Sequence, residues 1–324
     1  MMEVVDLFCG CGGLSLGFIR AGYHVTAAFD NWDKVLAVYR RNFTHQAFKT
    51  NLMDVERSVE LIEHFTPDMI IGGPPCQDFS SAGKRNENNG RGDLTIAYAK
   101  IIATIKPEWF VMENVARITK TQKLALATDI FKTTGYGISQ IILDATRCHV
   151  PQKRKRFFMI GKLGAQDNFI IEHFQKLFSE KEMSMADYFG NHLGIKYFYR
   201  HPRSYVRRGI FSIEEPCPTV RGVNRPIPKG YSIHPGDPVR SLEGIRPLST
   251  KERSMVQTFP YDFVFEGSKT DIEQMVGNAV PVNLGVFVGN AILSYLGQDF
   301  SDNAYVTYET ALHDKPSPSC NKVK

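Results

Sequence analysis

Up to about residue 164 the chain alternates short apolar runs with stretches of helical period, and this alternation restricts the fold more than any other feature. Residues 4–8, 25–30, 69–73, 110–115, 138–143 and 157–160 read as strands, being short and rich in Val, Ile, Phe and Met. Between them, residues 14–21, 33–42, 55–65, 94–105 and 123–133 carry apolar side chains three and four apart, as at Ile101, Ile102 and Ile105, and predict helices. Strands and helices in turn give an α/β fold, with a mostly parallel sheet covered on both faces. Ligands of such sheets bind outside the carboxyl ends of the strands.

Beyond Gly164 the pattern breaks. Residues 175–247 are rich in Arg, Pro, Gly and Tyr and predict a small, irregular second lobe. Helical period returns over 250–259 and 282–296, while the polar tail from Gln298, with Lys315-Pro316-Ser317-Pro318, is expected to fray. The expected division is 1–174 for the first domain, 175–247 for the lobe, 248–297 for a return segment completing the first domain, and 298–324 for the tail. No apolar run reaches the length of a membrane span. The opening Met1-Met2-Glu3-Val4-Val5-Asp6 has acids where an export signal needs basic residues, so neither membrane insertion nor export is expected. The six cysteines are scattered without a C-x-x-C pair, which argues against a zinc site and a disulfide framework and for a reducing compartment. Cys9 and Cys11 read as small buried hydrophobes. Net charge is only +5, but residues 147–162 hold six Lys or Arg and no acid, and 196–229 hold eight against Glu214 and Glu215. The second run also carries Tyr197, Phe198, Tyr199 and Tyr205. Each run alone reads equally as a solvated face, but two of them, the second interleaved with aromatics, point to a polyanion partner.

Three segments, the glycine turn after Asp6, the Cys76 segment and the Glu113 segment, fall at or just after predicted strand ends. Asp6-Leu7-Phe8-Cys9-Gly10-Cys11-Gly12-Gly13 joins a strand to a helix through glycines, which let backbone approach a ligand closely. It is not G-x-G-x-x-G, because Ser15 stands sixth from Gly10, and there is no P-loop. Asp30 lies 17 residues past Gly13 and can accept from ribose hydroxyls, while Asn31 and Trp32 suit an adenine. Trp32 as a plain core aromatic is an equal reading. Gly72-Gly73-Pro74-Pro75-Cys76-Gln77 stiffens the backbone ahead of a cysteine beside that pocket, making Cys76 a candidate nucleophile or, taken alone, an inert thiol. On an extended segment Gln152, Arg154 and Arg156 share one face, suited to an anionic or carbonyl-rich substrate or, taken alone, to solvent.

Together these segments resemble the bacterial type of C5-cytosine DNA methyltransferase. The resemblance rests on Asp6-Leu7-Phe8 with its glycines, Pro74-Pro75-Cys76-Gln77, Glu113-Asn114-Val115, Gln152-x-Arg154-x-Arg156, Gln257-Thr258-Phe259-Pro260 and Gly277-Asn278-Ala279-Val280-Pro281, in the family's order over roughly residues 3–296. Glu214-Glu215-Pro216 followed by Thr219-Val220 is similar to the family's target-recognition region. The resemblance implies a Rossmann-like S-adenosylmethionine-dependent methyltransferase fold with a small target-recognition domain. It implies that the Cys76 thiolate adds to C6 of a flipped cytosine, making C5 carbanionic and able to accept a methyl group. Glu113 would hold N3 and the exocyclic amine, Arg156 would bind O2, Arg154 would sit near thiolate and phosphate, and Asn114 would orient the site. S-adenosylmethionine, with no metal, would lie against Phe8, Gly10, Cys11, Gly12, Gly13, Asp30, Asn31, Asn51, Leu52, Gly73, Pro74, Leu94, Asn278 and Ala279. Double-stranded DNA would meet Gln77, Ser80, Arg207, Arg208, Thr219, Arg221, Asn224 and Arg225, with residues 78–91 closing as a lid.

Two positions depart from the family's pattern. Asp30 stands where Glu is commoner, and Asn51 where an Asp commonly faces the adenine amine. By analogy the target is short, GC-containing and partly palindromic. A monomer in the bacterial cytoplasm, with a cognate restriction endonuclease, is expected. The alternatives are a tRNA cytosine-5 methyltransferase, against which the long basic lobe argues, and a catalytically inactive DNA-binding homologue, against which the intact Cys76, Glu113 and arginines argue.

Overall fold

The computed structural model describes residues 1–75, 94–204 and 206–313, with backbone alone for 311–313. Its centre is a seven-stranded sheet. The strands are β1 (Glu3–Leu7), β2 (His24–Asp30), β3 (Gln46–Lys49), β4 (Met69–Gly72), β5 (Trp109–Val115), β6 (Tyr136–Asp144) and β8 (Lys155–Leu163), in the order β3-β2-β1-β4-β5-β8-β6. β3, β2, β1, β4 and β5 run parallel, and β8 runs antiparallel to both of its neighbours, β5 and β6.

Alternate side chains of each strand enter different cores, because successive Cβ atoms of a strand point to opposite faces. Val4, Ile71, Trp109, Val111, Phe158 and Ile160 face one side, while Val5, Ile70, Phe110, Met112, Phe157 and Met159 face the other. The first side is covered by α1 (Gly13–Arg20), α6 (Ile171–Leu177) and α10 (Val282–Tyr295), the second by α3 (Val55–Glu63), α4 (Leu94–Ile105) and α5 (Gln122–Thr134). Both faces being buried is why the strand sequences are nearly continuous apolar runs. The chain's return is close-packed: a Cβ added at Gly17 would stand 2.6 Å from the Val282 carbonyl and 2.7 Å from Gly285 Cα. Lys269–Tyr295 is long and apolar enough for a membrane span, contrary to the sequence expectation, but its most apolar window is 83% buried inside the protein, where α10 is a core helix.

The irregular lobe packs on the returning segment through one shared apolar cluster. Met185, Tyr188 and Phe189 of α7 (Met185–Phe189) meet Phe198, Ile213, Val220, Leu248, Met255, Val256 and Val276. Its regular structure is small: β9 (Tyr197–Tyr199) paired with β10 (Ile210–Ser212), and β11 (Cys217–Pro218) parallel to β7 (Gln152–Lys153). Backbone without ladder partners needs others. Asp237 supplies them, accepting from the amides of Gly209, Ile210 and His234 and from the Tyr231 hydroxyl at 2.7–3.0 Å.

Several elements escaped the sequence reading. β3 is four residues long, too short for a period to show. The polar helix α9 (Lys269–Asn278) is set by its Ser268 cap and by packing of Met275 and Val276. α8 (Thr250–Val256) stops short of 259, because Thr258 has φ 57 and its hydroxyl turns to accept the Asn283 amide. The start of the tail does not fray: Val306 is 1% exposed and clasped by the Asn283 side chain on both its amide and its carbonyl, and Tyr305 stacks on His149.

Candidate active site

A cleft of about 1940 Å³ opens at the carboxyl ends of β1, β2, β4 and β5 and continues to the lobe. It exceeds the roughly 300–1,000 Å³ of an ordinary small-molecule pocket, leaving room for a second ligand beside a cofactor.

At one end the chain leaves β1 through Phe8 (φ 59), Gly10 (φ 54) and Gly12 (φ 94). A Cβ added at Gly10 would meet nothing within 4 Å, so bare backbone borders open cleft there. Gly12 is different: its Cβ would run into the Phe43 ring at the end of α2 (Asp33–Asn42), and Gly12 is not among the residues that line the cleft. Phe8, Cys11, Gly13, Asp30, Asn31, Trp32, Asn51 and Leu52 line this end. Cys9 and Cys11 are buried thiols, and burial raises both, Cys11 to about 12. Trp32 does both things the sequence allowed, lining the cleft while packing with Cys11 and Val35.

Asp30 is engaged by the protein itself. Its Oδ2 accepts from the Gly10 amide at 3.0 Å and its Oδ1 from the Trp32 amide at 2.9 Å, while burial pushes its pKa up. A carboxylate has about four lone-pair sites, so both oxygens keep capacity for hydroxyls. Asn51 turns its carbonyl back to the Met53 amide at 3.3 Å. Behind the glycine turn lies a feature the sequence did not disclose. Asp6 is 1% exposed; its Oδ2 accepts from Ser15 at 2.5 Å, Tyr39 donates to Ser15 at 2.7 Å, and the Tyr39 hydroxyl lies 2.7 Å from His45 Nε2. Asp6 Oδ1 has no hydrogen-bond partner among the described residues.

At the middle of the cleft, Glu113 and Arg156 form an ion pair, Oε1 to Nε 2.9 Å, with 12% and 15% of their side chains exposed. The antiparallel register of β5 and β8 makes the pair, setting Val115 opposite Arg156 and Glu113 opposite Phe158. Burial pushes the Glu113 carboxyl up, against the pull of Arg156 and Arg154. Asn114 donates to the Pro74 carbonyl at 2.8 Å and so ties the end of β5 to the Gly73–Pro75 segment, and a Cβ at Gly73 would stand 3.0 Å from Glu113 Oε2. Gly73, Pro74 and Leu94 line the cleft here. Cys76, Gln77, Ser80 and the 78–91 segment lie outside the described residues.

Of the three residues expected on one face, only Arg156 meets Glu113. Gln152 is fully buried; it donates to Gln257 at 2.7 Å and accepts from the Val220 amide at 3.0 Å. Arg154, 1% exposed, donates to the carbonyls of Val220, Gly277 and Ala279 at 2.8–3.3 Å. They knit the lobe to the turn holding Asn278 and Ala279, both of which line the cleft.

The lobe supplies the far wall. Arg207 is exposed there. Arg208 pairs with Glu215 and lies 4.3 Å over the Phe211 ring. Thr219 donates to the Lys153 carbonyl at 2.6 Å. Arg221 lines the cleft with its guanidinium on the His201 carbonyl. The Asn224 amide turns inward, to the Leu248 carbonyl and Glu273, which removes it from the surface expected of a DNA-reading group. Arg225 is exposed, outside the lining. Arg200 and Arg203 line the cleft too; the sequence marked them only as part of a basic run. Among the described residues no cluster of three His, Cys, Asp or Glu side chains could hold a metal.

Comparison with known proteins agrees with this geometry. The family model for C-5 cytosine-specific DNA methylase matches residues 2–294. The Type II methyltransferase M.HindV of Haemophilus influenzae is 54% identical over 295 residues, 91% of this chain and 97% of that protein. The Type II methyltransferase M.HgiDI of Herpetosiphon aurantiacus is 48% identical, covering 92% of this chain and 96% of that protein. Among solved structures, the S. pombe Dnmt2 methyltransferase superposes with a TM-score of 0.69 at 14% identity, covering 91% of this chain and 99% of that one, and so shares the fold. The Entamoeba histolytica methyltransferase EhMeth does so with a TM-score of 0.62 at 18% identity, covering 91% and 98%. A match over nearly the whole chain, with the glycine turn, Glu113 and Arg156 gathered at one cleft, places this chain in the family of C-5 cytosine-specific DNA methylases.

Proposed function

We propose that the chain is a DNA (cytosine-5-)-methyltransferase that works on a cytosine flipped out of double-stranded DNA. The observation that carries this reading is the Glu113–Arg156 pair, 2.9 Å apart, beside the Pro-Pro segment that leads into Cys76 and in the same cleft as the glycine turn. The Cys76 thiolate adds to C6, and the pyrimidine π electrons move toward C5 and N3. Glu113, raised by burial and so readier to carry a proton, meets N3 and the exocyclic amine as charge builds. Arg156 offers its remaining donors to O2. Loss of the C5 proton then expels the thiolate from C6. Asn114 holds the segment carrying Cys76 through Pro74. Arg154 acts at one remove, as the brace of the cleft wall.

The cleft end at β1 and β2 fits S-adenosylmethionine. Bare backbone at Gly10, the Asp30 and Asn31 side chains, and the apolar walls of Trp32, Leu52 and Leu94 suit a sugar and a purine. S-adenosylmethionine, when bound, supplies an electrophilic methyl group. Residues 175–247 serve as the target-recognition domain on a catalytic body of 1–174 and 248–297, followed by a tail of 298–324. The chain acts as a monomer in the bacterial cytoplasm, beside a cognate restriction endonuclease whose cuts it prevents; for the last of these, support comes from relatives named as Type II methyltransferases.

The test is a 5-fluorocytosine duplex with cofactor, which blocks loss of the C5 substituent and traps the Cys76–C6 bond. Wild type is expected to form a covalent adduct and Cys76→Ser none, with duplex binding kept. An adduct in Cys76→Ser, or methyl transfer to tRNA in preference to duplex DNA, overturns the reading.

A further inference from the structure

The lobe's wall of the cleft carries five arginines, Arg200, Arg203, Arg207, Arg208 and Arg221, and Arg225 follows Arg221 closely. They are not equivalent. Arg208 is neutralised by Glu215, and Arg200 donates to the Thr219 carbonyl at 3.0 Å. Arg203, Arg207 and Arg225 are exposed, and among the described residues no side-chain hydrogen bond or ion pair holds their guanidiniums. Arg221 is the exception in a second way, since its backbone is held from every side. One residue before it, the Val220 amide and carbonyl are bonded to Gln152 and Arg154. Its own carbonyl accepts from Arg253, which is paired with Glu273. One residue after it, Gly222 packs so closely on Gly277 that a Cβ there would stand 2.2 Å from the Gly222 nitrogen. Three residues after it, Asn224 is bonded to Leu248 and Glu273.

All these anchors are buried or half-buried, and they leave the side chain in the cleft with one guanidinium nitrogen on the His201 carbonyl. A guanidinium has five donors in a planar fork. With one nitrogen fixed by a carbonyl, the fork's remaining edge is set in direction before any ligand arrives. The nearby positive charges of Arg203 and Arg225 repel it. Pre-set direction is what reading a base edge requires, because a bidentate contact to guanine O6 and N7 needs a planar fork held in register. Unheld, exposed arginines suit phosphates instead, which need charge and reach rather than direction.

Building on the DNA-methyltransferase reading, we propose that Arg221 reads a guanine edge in the target duplex, while Arg203 and Arg225 hold the phosphates beside it. The experiment uses the full chain and a pool of duplexes in which each base pair around the modified cytosine is varied. It reads methylation at each member, together with the slope of log binding constant against log salt. Arg221→Lys keeps the charge but not the fork. It is expected to lose about 10- to 100-fold of discrimination at one guanine position, with the salt slope unchanged. Arg203→Ala and Arg225→Ala are each expected to lower the salt slope by about 1 and leave base preference as in wild type. Continued duplex binding by Arg221→Gln separates lost reading from lost folding. The assignment is overturned if Arg221→Lys keeps every base preference, or if Arg203→Ala shifts preference as Arg221→Lys does. A wild-type chain that methylates no duplex overturns the methyltransferase reading itself.

Discussion

Asp6 holds the inner end of a buried chain through Ser15 and Tyr39 to His45, directly beneath the glycine turn. Burial raises its pKa from 3.8 to about 7, the Ser15 hydrogen bond opposing. A raised folded value means that the native state binds this proton more tightly than the unfolded chain does. Its contribution to stability is therefore complete below about 4 and lost as pH rises to about 7. Asp6→Asn keeps the shape without the proton. Against it, wild type should lose roughly 1–4 kcal/mol between pH 4 and 7. Urea midpoints for both proteins across this range check it, and parallel curves would refute it. At the same scale, Asp30 is already partly engaged. The shorter acid is held at the glycine turn by the Gly10 and Trp32 amides. The sequence showed an acid at a strand end but could not show where its oxygens already pointed.

Between elements, the joint formed by Gln152, Arg154 and Gln257 decides how the lobe meets the body. Gln257 donates to the carbonyls of Val276 and Ala279 at 2.6 and 3.1 Å, so Ala279 would keep a partner if Arg154 were lost. Val220 and Gly277 would not keep theirs from this side chain. Two stranded buried carbonyls at about 1–3 kcal/mol each give an expected loss of about 2–6 kcal/mol for Arg154→Met. Chemical denaturation measures it; a change below about 0.5 kcal/mol would show that water or neighbours satisfy the carbonyls. The spacing Gln152-x-Arg154-x-Arg156 was legible as a shared face of an extended segment. That only the last residue reaches Glu113 was not, because the first two sit on β7 or in the break after it, beside β11, a pairing between residues 65 apart. Likewise α9 escaped notice because its sequence is polar and its burial comes from packing on the lobe.

For the whole molecule, the cleft joins residues from the first strand to the turn before α10. A cofactor bound there would touch both the body and the returning segment, so its binding should stabilise them as one unit. At 100 times its Kd, S-adenosylmethionine is expected to add about 2.7 kcal/mol to the unfolding free energy, in a single transition. Calorimetry with and without cofactor tests this, and an unchanged unfolding temperature would count against the site. By itself the sequence determined the alternation of strand and helix, the strand ends that carry chemistry, the motifs of the family and the basic lobe. These are local matters, set by side-chain period and by short runs of contiguous residues. Only the tertiary structure decided which charged groups are free to act: Arg156 faces Glu113, Arg154 braces carbonyls, Arg208 is neutralised by Glu215, and Arg221 rests on the His201 carbonyl while Arg203 and Arg225 stand exposed. A guanidinium's task depends on what lies within about 3 Å of it, and those neighbours come from distant parts of the chain.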